Sequence, residues 1–127
     1  MSVNPNDYFK GEKFTKHFLN ERLGRLQFIA DHDGTLGNTI KEFVVDKGHE
    51  NGKEIHTITD TGLIIIRNAE TKKIVTLFYA KRGAIVRHYL ENGLTVDDIP
   101  KELLRRVRLN QIRNWVHLDG DGNLFRE

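Results

Sequence analysis

The chain has 127 residues, 20 basic and 18 acidic side chains, 38% hydrophobic residues and no cysteine. A chain of this length removes about two-thirds of its surface from water in one core, so residues 1–127 are expected to form a single domain. Without cysteine there is no disulfide framework, thiolate nucleophile or Cys-ligated metal site. The longest apolar run, Leu63 to Ile66, cannot cross a bilayer, and the N-terminus lacks a signal-peptide pattern, so we expect a cytoplasmic protein with no membrane partner.

The N-terminal quarter of the chain predicts a loose arm, a helix and a loop. Residues 1–12 show no periodicity. Leu19, Leu23 and Leu26 follow a helical spacing, and Thr15 is a suitable N-cap, which predicts a helix from Thr15 to about Phe28. Two glycines then mark residues 31–38 as a loop.

The middle of the chain predicts an antiparallel meander. A short strand or helix at residues 40–45 precedes a polar loop, and three strands follow at residues 54–59, 63–66 and 74–79. Ile55 and Ile58 cannot share one face of a regular strand, which predicts a bulge or register irregularity near His56.

Two helices are predicted after the meander. The first spans residues 84–90 and ends at Asn92-Gly93. The second follows Asp97-Asp98-Ile99-Pro100 and runs to about Leu118, with core contacts from Leu104, Val107, Trp115 and Val116. The fold class is therefore α+β, with an N-terminal helix, a meander of three to four strands and C-terminal helices. Within this single domain, residues 14–90 are expected to form the core. Residues 97–118 are expected to form an appended basic helix, and residues 119–127 a tail.

Basic residues are concentrated in the C-terminal third. Residues 1–80 carry no net charge, whereas residues 81–113 carry +4. Guanidinium groups match phosphate oxygens in pairs, so this stretch is a candidate nucleic-acid surface; a solvated helix surface is the alternative. The nucleic-acid-binding candidates are Arg82, Arg87, His88, Tyr89, Arg105, Arg106 and Arg108.

Two other site types are disfavoured by their context. The sequence DHDGTLGNT at residues 31–39 is similar to the DxDGT signature of the haloacid dehalogenase superfamily, but that signature needs a preceding buried strand and a larger sheet. A calcium loop starting at Asp31 would need glycine at the position of Leu36. A tight polar turn is the better interpretation.

The six histidines show no metal-ligand spacing, so neither a metal nor another cofactor is expected. His17 is distinguished by Arg22 and Arg25, which share a broad face of the predicted helix with it. An acid or base beside two cations is what proton-transfer cleavage of a phosphodiester requires.

The segment Phe14-Thr-Lys-His17, followed by Arg22, Arg25 and a meander ending in Ile74-Val-Thr76, resembles the barnase/EndoU/colicin/RelE superfamily of small bacterial and phage proteins. The resemblance covers residues 14–90, the expected ribonuclease-like core. It departs from the family pattern in the His-to-Arg spacing and in the second C-terminal helix. It implies a catalytic set of His17, Arg22 and Arg25 on the helix and Thr76 on the last strand.

The leading functional prediction is a metal-independent endoribonuclease of toxin or phage type. The 2′-oxygen of RNA would attack the adjacent phosphate, with His17 or His56 as acid and base and Arg22, Arg25 and Arg87 on the phosphate. The alternative is a non-catalytic phage or mobile-element accessory protein that binds nucleic acid, or an acidic antitoxin or host protein, through its Arg-rich helix.

Overall fold

The computed structural model describes residues 9, 11–48 and 52–114, with side chains to residue 112. Over these residues the predicted α+β class is confirmed. The elements in chain order are α1 (Lys16–Glu21), α2 (Leu23–His32), β1 (Thr39–Asp46), β2 (Lys53–Thr59), β3 (Leu63–Asn68), β4 (Ile74–Tyr79), α3 (Arg82–Glu91), a 3₁₀ turn (Val96–Asp98) and α4 (Lys101–Asn114). The tail at 119–127, the helix end near Leu118, the core contacts of Trp115 and Val116 and most of the 1–12 arm lie outside the described residues.

The predicted N-terminal helix is divided into two. Thr15 caps α1 as expected, its hydroxyl accepting a hydrogen bond from the Phe18 amide at 3.2 Å. The helix is interrupted at Arg22, whose backbone has φ −131° and ψ 18°. Gly24, a poor helix former, follows the interruption, and α2 then continues to His32. Arg25 therefore does not share one continuous helix with His17.

The sheet is antiparallel, with strand order β1-β2-β3-β4 in the described chain. The segment predicted as strand or helix is strand β1. The predicted irregularity near His56 is wrong: register shifts occur instead between Thr39 and Lys41 and between Ile66 and Arg67. Ile55 is only half-buried while Ile58 is fully buried, so the two need not share a face and β2 stays regular through His56.

Helices cover both faces of the sheet. Leu63 and Leu77 belong to the core cluster of α1 and α2, whereas Ile64 and Phe78 belong to the cluster of α3 and α4. Successive residues of a strand point to opposite faces, so the two clusters lie on opposite sides of the sheet. The molecule therefore has three layers, and residues on the two sides cannot meet through the sheet.

Helix α4 is tied to the end of the sheet and to α2. Asn110, 1% exposed, donates to the Thr61 carbonyl at 2.7 Å and accepts from Arg106 at 3.0 Å. Arg106 also pairs with Asp33, just after α2, at 2.5 Å. Leu103 and Val107 are buried in the core cluster on that face. The helix predicted as an addition thus completes the core. Among the described residues, no helix combines the length and apolar character needed to cross a membrane.

Candidate functional site

The free edge of β4 is partly covered by the segment before α1. Strand β4 is terminal in the sheet, so one side of its backbone lacks a neighbouring strand. Residues Phe14 and Ile74 form a parallel bridge, in which the Thr15 amide donates to the Ile74 carbonyl at 2.9 Å and the Ile74 amide donates to the Lys13 carbonyl at 2.7 Å. This bridge fixes the start of α1 beside β4.

Arg25 of α2 reaches the next part of the same strand. Its Nη1 donates to the Thr76 hydroxyl at 3.0 Å and is 3.4 Å from the Leu77 carbonyl oxygen. Both side chains are half-buried. Thr76 accepts this bond, and its own hydroxyl hydrogen has no acceptor among the described residues. The hydroxyl is therefore held by a cation while it can still donate to a ligand.

His17 and Arg22 are carried by α1 and by the break that follows it. The ring of Phe18 is fully buried and stacks on Phe14 at 5.6 Å, which turns the preceding side chain, His17, to solvent. Arg22 is half-buried, and its Nη1 donates to the Glu21 carbonyl at 3.3 Å. We give the name β4-edge site to His17, Arg22, Arg25 and Thr76, of which Arg25 and Thr76 are in direct contact. The convergence of His17 and Arg22 on that pair stays a prediction. The site offers an exposed imidazole, two guanidinium groups and a hydroxyl donor.

His56 does not belong to this site. It lies opposite Phe43 and Ile66, which face the α3–α4 side of the sheet. Its Nδ1 is 2.8 Å from His88 Nε2, and its Nε2 is 3.0 Å from Glu54 Oε1. Burial lowers the pKa of His56, and the hydrogen bond with Glu54 acts in the opposite direction. Ile66 also pairs with Thr76, so His56 and Thr76 share one face of the sheet and lie two strands apart. His56 is 5% exposed and is held by Glu54 and His88, whereas His17 is exposed, so His17 is the imidazole that a ligand can reach.

His56 and His88 line a groove of about 430 Å³ between the β1–β2 end and α3. Its other polar walls include Lys47 and Arg87, together with the acids Asp46 and Glu91. Arg87 lies 3.7 Å from Glu91, and both side chains are more than half exposed. We call this the histidine groove. Arg87 thus belongs to this groove, with Glu91 beside it.

The remaining nucleic-acid candidates divide into exposed and buried residues. Exposed positions are occupied by Arg82, Arg87, Arg105 and Arg108. His88 is 7% exposed and Tyr89 2%; the Tyr89 ring packs edge-on against Phe43 at 5.5 Å. The Tyr89 ring thus faces the core, and Arg106 is engaged by Asp33. Three residues of these surfaces were not among the sequence-predicted site residues: Lys101, Lys47 and Glu54. For Glu54 a signal was available, because residues i and i+2 of a strand share a face and Glu54 therefore lies beside His56.

Within the described residues, no three His, Asp or Glu side chains are arranged to hold a metal ion. The three side chains that come nearest to such an arrangement are those of Glu54, His56 and His88. The 2.8 Å between His56 Nδ1 and His88 Nε2 is a hydrogen-bond distance, whereas two nitrogens bound to one tetrahedral zinc ion lie about 3.4 Å apart. The absence of a metal stays a prediction, tested below with EDTA.

A scan of protein-family models, a search of curated proteins and a search of solved structures each found no match to the chain.

Proposed function

We propose that this protein is a metal-independent endoribonuclease that cuts single-stranded RNA at the β4-edge site. The observation that carries the proposal is the hydrogen bond from Arg25 to Thr76. These residues are 51 positions apart, and both belong to the set that the superfamily resemblance implies. A guanidinium group and a hydroxyl donor side by side match the oxygens of one phosphate group.

The chemistry follows from the groups available. His17 accepts the proton of the 2′-hydroxyl, and the 2′-oxygen forms a bond to phosphorus while the bond from phosphorus to the 5′-oxygen breaks. Arg25, Arg22 and the Thr76 hydroxyl stabilise the charge on the phosphate oxygens in the transition state. Water at this exposed site protonates the leaving 5′-oxygen, and His17 returns its proton to solvent. The products are a 2′,3′-cyclic phosphate and a 5′-hydroxyl.

The Thr76→Val variant tests the role of the edge hydroxyl. Valine keeps the shape of threonine and suits a strand, so the fold should be unchanged. Removing one donor to the developing charge is expected to lower kcat about 10²-fold, with little change in KM, in an assay on a fluorescent RNA oligonucleotide in EDTA. Thr76→Ser should restore activity. Thr39→Val, an exposed strand position on β1, is the matched control. Equal rates for Thr76→Val and the control would contradict the proposal.

A specific surface favours a second function, binding of nucleic acid without cleavage. Lys101, Arg105 and Arg108 lie within about 60° of one another around α4. All three are exposed, and none forms an ion pair within the part of the chain that the structure describes. A row of unpaired cations suits a phosphate backbone. If the same oligonucleotide is bound in a steeply salt-dependent manner and remains intact, this second function replaces the first.

A further inference from the structure

A chain of three contacts beside the histidine groove runs from a part-buried carboxylate through two buried histidines to a backbone carbonyl. Glu54 Oε1 is 3.0 Å from His56 Nε2, His56 Nδ1 is 2.8 Å from His88 Nε2, and His88 Nδ1 is 2.8 Å from the Ala84 carbonyl oxygen. The side chain of His56 is 7% exposed and that of Glu54 16%. We call Glu54, His56 and His88 the carboxylate–histidine unit.

The number of protons in this chain can be counted. Both ends, the Glu54 carboxylate and the Ala84 carbonyl, are acceptors, so three hydrogen bonds require three protons on the ring nitrogens. Two neutral imidazoles carry only two. The complete chain therefore holds one extra proton, which makes one ring an imidazolium and gives the unit no net charge. When that proton leaves, the unit has a charge of −1 and one contact must break.

The structure indicates which contact breaks. The Ala84 carbonyl is fixed in α3 and accepts a hydrogen bond from His88 Nδ1, so the proton of neutral His88 stays on Nδ1. His88 Nε2 is then an acceptor, which holds the proton of neutral His56 on Nδ1. Both rings are buried, and His88 packs against Phe43 at 6.3 Å. Glu54 is on a flexible, partly exposed side chain, so Glu54 is the group that can move.

We propose that the carboxylate–histidine unit is a one-proton site, in which His88 is the positioning residue that fixes the tautomer of His56. With the proton bound, His56 holds Glu54 through Nε2. Without it, His56 Nε2 carries a lone pair, and the Glu54 carboxylate turns into the groove. The site is independent of the ribonuclease proposal, since none of its three residues takes part in the proposed cleavage.

The charged groups around His56 determine when the proton leaves. From its own strand it faces Glu54, from α3 His88, Arg87 and Glu91, and from the end of β1 Asp46 and Lys47. Phe43 and Ile66 are its direct partners on the neighbouring strands, and Lys41 lies on the same face of β1 as Phe43. Burial lowers the pKa of His56 below the ordinary value of 6.5, and His88 and Lys47 act in the same direction. The form without the extra proton is thus the major form of the unit above pH 6.5.

Proton linkage gives the sign of the effect on stability. Between the lowered folded pKa of His56 and 6.5, the unfolded chain binds more protons than the folded chain. The free energy of unfolding therefore falls as the pH is lowered through this window, and it levels off below the folded pKa. Above 6.5, His56 contributes no slope.

Nitrogen NMR of the histidine rings on the full chain in EDTA tests the assignment. At pH 8 we expect both His56 and His88 as Nδ1–H tautomers. One protonation should appear at His56 as the pH falls, at a midpoint below the ordinary histidine value of 6.5. An Nε2–H tautomer of His56 at pH 8, or a midpoint above 6.5, would overturn the proposal.

Two variants give opposite, specific results. In Glu54→Gln the amide can donate to His56 Nε2, so all three contacts form without an extra proton; the Nδ1–H tautomer should persist and the midpoint of His56 should fall further. In His88→Phe the acceptor of His56 Nδ1 is lost, so His56 should change to the Nε2–H tautomer and donate to Glu54. If His88→Phe leaves the tautomer unchanged, His88 is not the positioning residue. Should that variant fail to fold, Glu54→Gln alone decides, because an unchanged or raised midpoint contradicts the count of protons.

Discussion

Replacing His17 with alanine is expected to lower the rate of RNA cleavage about 10²- to 10⁴-fold, the range that a positioned acid or base contributes. His17 is exposed on α1 and has no place in either core cluster, so its loss should not change the free energy of unfolding. The rate is measured as single-turnover cleavage of a short RNA in EDTA, with circular dichroism to verify the fold.

The control for His17→Ala is Asn20→Ala, another exposed polar position on the same short helix. This variant should retain the wild-type rate. A second comparison is His56→Gln, which alters the buried histidine of the histidine groove. If His56→Gln abolishes cleavage and His17→Ala does not, the reaction belongs to the histidine groove, and the β4-edge site is not the catalytic centre.

Replacing Asp33 with asparagine is expected to lower the free energy of unfolding by about 2–3 kcal/mol. Its carboxylate pairs with Arg106 and accepts the hydroxyl hydrogen of Tyr79. Removing one member of a buried ion pair costs about 3–5 kcal/mol, and the 26% exposure of Arg106 reduces that cost. Chemical denaturation monitored by fluorescence or circular dichroism measures the change.

The matched control is Asp31→Asn in the same sequence motif. Asp31 is exposed, and it accepts a hydrogen bond only from Gln27 one turn earlier among the described residues. Its replacement should alter stability by no more than about 0.5 kcal/mol. Equal effects at the two positions would contradict the assignment of Asp33 as the link between α2 and α4.

The local elements were largely predictable from the sequence. Thr15 followed by a leucine spacing specifies a helix start, because the cap satisfies an amide that the helix leaves without a partner. Alternation and turn residues located β2, β3 and β4, because one or both faces of each strand must be apolar. The segment 40–45 remained ambiguous since a short apolar run fits a helix and a strand equally well.

The tertiary contacts were not predictable in the same way. The break at Arg22 is a local backbone change with only Gly24 as a weak signal nearby. The contact of Arg25 with Thr76 joins distant segments, and only the family resemblance placed those two residues together. The pairing of His56 with His88 depends on the face of α3 that is buried, which the charge pattern of that helix did not reveal.

The most direct test of the β4-edge ribonuclease uses a DNA oligonucleotide that contains a single ribonucleotide. Attack by a 2′-hydroxyl can occur only at that nucleotide, so the wild-type protein in EDTA should cut once, on its 3′ side, and leave a 2′,3′-cyclic phosphate that mass spectrometry identifies. The all-DNA oligonucleotide should stay intact, and His17→Ala should leave both intact. Cutting of the all-DNA strand, loss of cutting in EDTA, or no cutting by the wild-type protein of either this oligonucleotide or an all-RNA strand would contradict the account.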